Sequence, residues 1–184
     1  MKSLSSTLNP RCQMVLRNYM QPDQPLLFKE SLMTVGAVLN QKGSSVISVL
    51  PEAAVMEAAN IISRQRIGAV VVCDAAGNLI GILSERDVVR GLTQHGAGLL
   101  DLKVSALMTH EVQVVTAAST VLEAMEVMDA GYFRHLPVVD DTRRLCGIVS
   151  IRDLVRYRIH SQASDVESLQ AYVIGRGYGL GRVG

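Results

Sequence analysis

Gly81-Ile82-Leu83-Ser84-Glu85-Arg86-Asp87 recurs as Gly147-Ile148-Val149-Ser150-Ile151-Arg152-Asp153, with Gly, Ser, Arg and Asp identical at matched positions and an offset of 66 residues. The same offset superimposes Val55 on Val121, Glu57 on Glu123, Ala58 on Ala124, Val72 on Val138 and Asp74 on Asp140 without a gap. Upstream, Thr34-Val35-Gly36-Ala37-Val38-Leu39 resembles Lys103-Val104-Ser105-Ala106-Leu107-Met108 at an offset of 69, so the copies differ by three residues in the stretch between. Self-similarity over such a span marks an internal duplication, each copy being one supersecondary unit.

Both copies predict the same order of elements. A short extended run, Val46 to Val49 or Val112 to Val115, precedes apolar residues at helical spacing: Val55, Ala58, Ala59 and Ile62 in the first copy, Val121, Ala124, Met125 and Met128 in the second. Residues three and four apart share one helix face, so these form its buried stripe. Ala69-Val70-Val71-Val72-Cys73 and Leu79 to Leu83 then read as strands, joined across Asp74-Ala75-Ala76-Gly77-Asn78 by a hairpin-type turn. Leu136 to Val139, Asp140 to Arg144 and Leu145 to Val149 repeat that arrangement. After each Gly-h-x-Ser strand the pattern turns amphipathic again, towards Gly91 and towards Ile159.

The order is therefore β-α-β-β-α, twice. One copy alone has a three-stranded sheet and two helices, too little to stabilise itself, whereas two packed sheet to sheet bury a shared core. The expected fold class is α/β (α+β): two β-α-β-β-α repeats packed sheet to sheet with pseudo-two-fold symmetry. The domain plan is an N-terminal extension over 1–30, a first repeat over 31–95, a second over 101–161, and a C-terminal segment over 162–184. In that last segment Val166, Leu169, Tyr172 and Val173 line a short helix before a glycine-rich tail.

At 184 residues and 48% apolar content, the chain suits one compact unit with two halves. Eighteen basic against 17 acidic residues give a formal charge of +1, which argues against a general nucleic-acid or anionic-membrane binder. Cys12, Cys73 and Cys146 are odd in number and widely spaced, which indicates neither a disulfide framework nor a CxxC metal knuckle, and so a reducing compartment. No apolar run approaches the roughly 18 residues needed to cross a bilayer. The cytoplasm is the expected location. Before Asp23, however, the chain carries Lys2, Arg11, Arg17, several serines and no acid, a weak organelle-transit signal.

The paired motifs, with Ile67-Gly68-Ala69-Val70-Val71-Val72, Phe133-Arg134-His135-Leu136-Pro137-Val138 and the linker Leu107-Met108-Thr109, resemble the tandem repeats of the CBS (cystathionine β-synthase) domain family. The resemblance covers about residues 31 to 161. It implies a stand-alone, non-catalytic disc of two repeats with nucleotide clefts between them, which commonly forms a homodimer through the repeat helices. The implied ligand is an adenosine nucleotide (AMP, ADP, ATP or NADH), with no catalytic cofactor and no metal.

The resemblance further implies that Asp87 and Asp153 accept hydrogen bonds from ribose hydroxyls, as the acidic residue of dinucleotide folds does. Ser84 and Ser150, where helices begin, and Arg134 and His135 would face a phosphate. Arg86, Arg152, Thr116, Phe133, Ile67 and Gly68 complete the expected ligand-binding set. The first repeat carries Gly68 and Ala69 where the second carries Arg134 and His135, so the two clefts differ. Which aspartate shares a cleft with Arg134 and His135 stays open at this stage.

Plainer readings stand beside these. Ser84-x-x-Asp87 and Ser150-x-x-Asp153 also spell helix N-caps worth about 1 kcal/mol each, a role compatible with ribose binding. An arginine on an exposed first helical turn is ordinarily solvated, and a lone histidine beside a strand is ordinarily structural. His95, His110 and His160 show no paired metal spacing. Gly179 to Gly184 matches GxGxxG without the strand-to-helix context that motif needs. Arg176, Tyr178 and Arg182 among glycines read as a disordered end rather than an RNA contact.

The leading expectation is a regulatory module that senses an adenosine nucleotide and signals to an unknown partner protein by rearranging its repeats or its dimer. A ligand-free dimeric scaffold is the alternative, followed by a nucleotide-dependent enzyme. Against the enzyme, the chain has no GxxxxGK loop, HExxH or GxSxG. Some CBS pairs bind S-adenosylmethionine or nucleic acid; Arg134 and His135 favour a phosphorylated ligand over the cationic methyl donor.

Overall fold

The computed structural model describes residues 33–161. The extension over 1–30 with its transit-like composition, and the segment over 162–184 with its expected helix and GxGxxG run, lie outside the described residues.

The first half comprises α1 (Val35–Lys42), β1 (Ser48–Val49), α2 (Val55–Gln65), β2 (Ala69–Cys73), β3 (Leu79–Ser84) and α3 (Glu85–His95). Two 3₁₀ turns, Gly96–Asp101 and Val104–Ala106, lead to β4 (Val115–Thr116), α4 (Val121–Ala130), β5 (His135–Val139) and β6 (Leu145–Ser150), followed by α5 over 151–161. Each half is a three-stranded sheet in which the first strand pairs parallel with the second and the second antiparallel with the third. Val49↔Val72 recurs as Val115↔Val138 and Ala69↔Ser84 as His135↔Ser150, so the offset of 66 runs through both sheets. Even the strand irregularity recurs, between Val72 and Cys73 and between Val138 and Val139.

β1 and β4 are shorter than the sequence pattern suggests. Only Ser48 and Val49 reach the ladder, while Val46 leaves it and is buried against Val71 and Cys73. Every residue of β2 is buried because both faces of its sheet are covered. Val70 and Val72 face Ala58 and Ile62 of α2, whereas Val71 and Cys73 pack with Leu145 and Ile148 of the other sheet. The sheets thus meet face to face, as expected of this fold class. Burial pushes the Cys73 thiol up, with the Asp74 carboxylate adding to the effect. Cys146 is disulfide-bonded, contrary to the expectation from cysteine number and spacing.

The halves exchange their leading segments. Val35, Val38 and Leu39 of α1 are buried with Val121, Ala124, Leu136 and Val149 of the second repeat. Backbone hydrogen bonds fix this strap: Val35 N–H donates to Ser119 O at 2.8 Å, Gly36 N–H to Ala117 O at 2.9 Å and Val121 N–H to Met33 O at 2.7 Å. Reciprocally, Val104 and Met108 join the core of the first repeat, with Val104 N–H donating to Ala53 O and Val55 N–H to Leu102 O, both at 2.8 Å.

This exchange explains the glycine that opens each motif. A Cβ at Gly81 would lie 2.5 Å from Met108 Sδ, and one at Gly147 would lie 2.7 Å from Leu39 Cδ1. Each strap therefore crosses its sheet where only glycine leaves room.

Candidate functional site

β3 runs directly into α3, and Ser84 at the junction caps the helix. Its hydroxyl and its backbone N–H both donate to Asp87 Oδ2, at 2.6 and 2.9 Å, and its Oγ accepts from Asp87 N–H at 3.4 Å. This capping box satisfies otherwise orphan N–H groups of the first turn. It also holds the Asp87 carboxylate in one orientation, with Oδ1 3.9 Å from the Arg90 guanidinium one turn along.

A cavity of about 240 Å³ opens beside that helix start. Gly68, Ser84, Arg86, Asp87 and Arg90 line it from the first repeat, Tyr132, Phe133, Arg134 and His135 from the second, and Thr109, Glu111 and Gln113 from the segment between. Arg86 Nη1 donates to the Tyr132 carbonyl, a hydrogen bond from one repeat to the other at the cavity wall. Tyr132 has a left-handed φ of 54° and an 83% exposed side chain, both unusual for an aromatic residue. Three guanidiniums and one imidazole face two carboxylates here, so the cavity is net cationic.

His135 begins β5 and leans over Gly68. A Cβ there would come within 2.6 Å of the imidazole Cε1, so glycine is what lets the ring sit against the first repeat. Burial pushes the imidazole pKa down, and the neighbouring Arg134 guanidinium acts in the same direction, against weaker upward pulls from Asp153 and Glu85.

The second motif repeats the cap and differs in what surrounds it. Ser150 N–H and Oγ donate to Asp153 Oδ2 at 2.9 and 2.8 Å, and Lys42 Nζ from the end of α1 donates to the same oxygen at 3.0 Å. Burial raises the Asp153 pKa, but the hydrogen bonds from Ser150 and the Lys42 ammonium outweigh it and leave the carboxyl below its ordinary value.

Of the residues singled out in the sequence, the cavity gathers Gly68, Ser84, Arg86, Asp87, Phe133, Arg134 and His135. Arg134 and His135 thus share a cleft with Asp87. Ser150 and Asp153 stand at the other motif, and Arg152 lines a separate depression on α5 with Val155, Arg156, Ile159 and His160. Thr116 is tied to Ser119, whose Oγ accepts its N–H at 3.2 Å, and Ile67 packs on the core of the first repeat.

Arg90 and the 109–113 segment were not picked out. Arg90 was within reach, since it stands three residues after Asp87 on a helix and so shares its face. Thr109 enters by pairing with Ile82, N–H to O at 2.9 and 3.1 Å, a contact that no spacing encodes. Among the described residues no helix is long and apolar enough to cross a membrane, and no cluster of His, Cys, Asp or Glu is arranged to hold a metal ion.

Fold and cleft together define a duplicated β-α-β-β-α module with a polar cleft between its repeats. The sequence model of the CBS domain matches residues 35–94 and 104–160, and the chain belongs to the CBS domain family. The CBS domain-containing protein CBSX3, mitochondrial, of Arabidopsis thaliana is 31% identical over 180 residues, covering 91% of this chain and 87% of its own length. A crystal structure of a CBS-domain containing protein from Agrobacterium tumefaciens is 43% identical with a TM-score of 0.64, covering 66% of this chain and 90% of that one.

Two further structures carry adenosine compounds. The CBS domain pair of protein MJ0100, in complex with 5′-methylthioadenosine and S-adenosyl-L-methionine, is 29% identical (TM-score 0.55; 60% of this chain, 89% of that one). CBSX2 in complex with AMP is 25% identical (TM-score 0.55; 64% and 90%). Inosine-5′-monophosphate dehydrogenase of Methanocaldococcus jannaschii is 35% identical over 121 residues, 65% of this chain but only 23% of the enzyme.

Proposed function

We propose that the Asp87 cleft binds an adenosine nucleotide and that the chain is a regulatory sensor without catalytic activity of its own. The observation that carries this reading is the convergence of Asp87, Arg86 and Arg90 from one repeat with Arg134 and His135 from the other on a single cavity. A carboxylate held by its cap accepts the vicinal ribose hydroxyls through Oδ1, and the guanidiniums and imidazole meet the phosphate. The AMP complex of CBSX2 supports the ligand class.

The cationic wall favours AMP, ADP or ATP over S-adenosylmethionine, whose sulfonium it repels. The cavity of about 240 Å³ is open to solvent on one side, so AMP and NADH, which share the adenosine monophosphate unit, both remain candidate ligands. Signalling follows from Arg86: a phosphate competes with the Tyr132 carbonyl for its guanidinium, loosening one tie between the repeats. A ligand shifts such an equilibrium by its difference in affinity for the two arrangements. A homodimer and a partner protein would read the change. The cytoplasm is the proposed compartment; organelle import is the alternative that the mitochondrial name of the Arabidopsis relative favours.

Thermal unfolding with AMP, ATP, NADH and S-adenosylmethionine tests this. A ligand bound only by the folded chain stabilises it by about 2.7 kcal/mol at a hundredfold excess over its dissociation constant. The adenine nucleotides should raise the melting temperature, with the rise abolished in Asp87→Ala. No rise with any of them would favour the ligand-free scaffold.

A further inference from the structure

We infer that the chain takes one nucleotide, in the Asp87 cleft, and that Lys42 closes the pseudo-equivalent site at Asp153. This rests on the nucleotide-binding reading above. Although duplication supplies two capped aspartates, their surroundings have diverged on three counts.

Both carboxylates give Oδ2 to their serine caps; Asp87, which lines the cavity, has its ion-pair partner Arg90 only at 3.9 Å from Oδ1, whereas Asp153 Oδ2 accepts in addition from Lys42 Nζ at 3.0 Å. Arg134 and His135 both line the Asp87 cavity, and their counterparts at an offset of 66 are Gly68 and Ala69, which carry no charge. Arg152, the counterpart of Arg86, lines a depression on α5 instead.

The magnitudes assign the parts. Side chains of Lys42 and Asp153 are 28% and 23% exposed, and an ion pair so accessible weakens a competing ligand by roughly tenfold or less. Lys42 alone therefore does not exclude a tight ligand; it suffices because Arg134 and His135 line the Asp87 cavity, even though His135 pairs across the sheet with Ser150. α1 is pinned by backbone hydrogen bonds to 117–121 of the second repeat, which keeps the lysine at the aspartate.

Isothermal titration of the full chain with AMP tests this, using Asp→Asn variants that retain an acceptor for the serine cap. One AMP per chain is expected, weakened at least tenfold in Asp87→Asn and within about twofold of the parent in Asp153→Asn. Lys42→Ala should leave the first event intact and add a second, weaker one. Two events in the parent chain, or a single event lost in Asp153→Asn and kept in Asp87→Asn, would overturn the inference while leaving nucleotide binding standing. A single event in Lys42→Ala would overturn the role given to the lysine. No AMP binding to the parent chain would defeat the nucleotide reading and this inference together.

Discussion

Asp87 and Asp153 make the same hydrogen bonds to their capping serines and differ in the cation that meets the carboxylate, Arg90 at Oδ1 of the first and Lys42 at Oδ2 of the second. The caps are what Ser-x-x-Asp predicts on its own, and they account for the motif whether or not a ligand is bound. His135 extends the argument to pH. Its folded-state pKa lies below the ordinary 6.5 because of burial and Arg134, so the unfolded chain binds the proton more readily. Its contribution to stability is complete above about pH 6.5 and falls as the pH drops through the lowered folded value. Denaturant melts from pH 7.5 down to 5 should show this loss, and His135→Gln should flatten it; a parent curve as flat as the variant's would refute the effect. Asp153 has the same sign at lower pH, with its contribution lost as its depressed pKa is passed.

At the scale of elements, the straps decide the packing. Leu39 is 1% exposed yet belongs to the core of the second repeat, so Leu39→Ala should destabilise by about 2–5 kcal/mol in urea unfolding. Gly147→Ala should cost about 1–3 kcal/mol, because its methyl meets the buried Leu39 side chain. Gly81→Ala should cost less, since the thioether of Met108 can swing aside. Equal losses at the two glycines would contradict the strap argument. The helices of the β-α-β-β-α repeats, the hairpins and the 66-residue offset are legible from period and composition. Neither α1 nor the exchange is, because 34–39 shows in the sequence only a likeness to 103–108 and nothing about which sheet receives it.

For the whole molecule, the exchange means that neither repeat completes its core alone. A chain beginning at residue 45 lacks Val35, Val38 and Leu39 and should lose cooperative unfolding of the second repeat, read as early hydrogen exchange in β5 and β6; exchange as slow as in the full chain would argue otherwise. Val89 and Leu92 on α3 and Val155 and Ile159 on α5 are exposed, at 62%, 45%, 39% and 60%. Val89 and Val155 stand 66 residues apart, so the duplication presents two related apolar helix faces. If the proposed homodimer forms through these faces, light scattering should give Val89→Glu/Ile159→Glu a smaller mass than the parent chain; one mass for both would remove these faces from the interface.

The amino-acid sequence by itself determined the duplication and its 66-residue offset, the β-α-β-β-α order and the two Ser-x-x-Asp caps, because each depends on residues close together in the chain or on a repeat period. Only the tertiary structure decided that Arg134 and His135 face Asp87, that Lys42 sits on Asp153, and that each repeat closes over the other's leading segment. Those contacts join residues up to 111 positions apart, and the packing of one sheet against the other selects them.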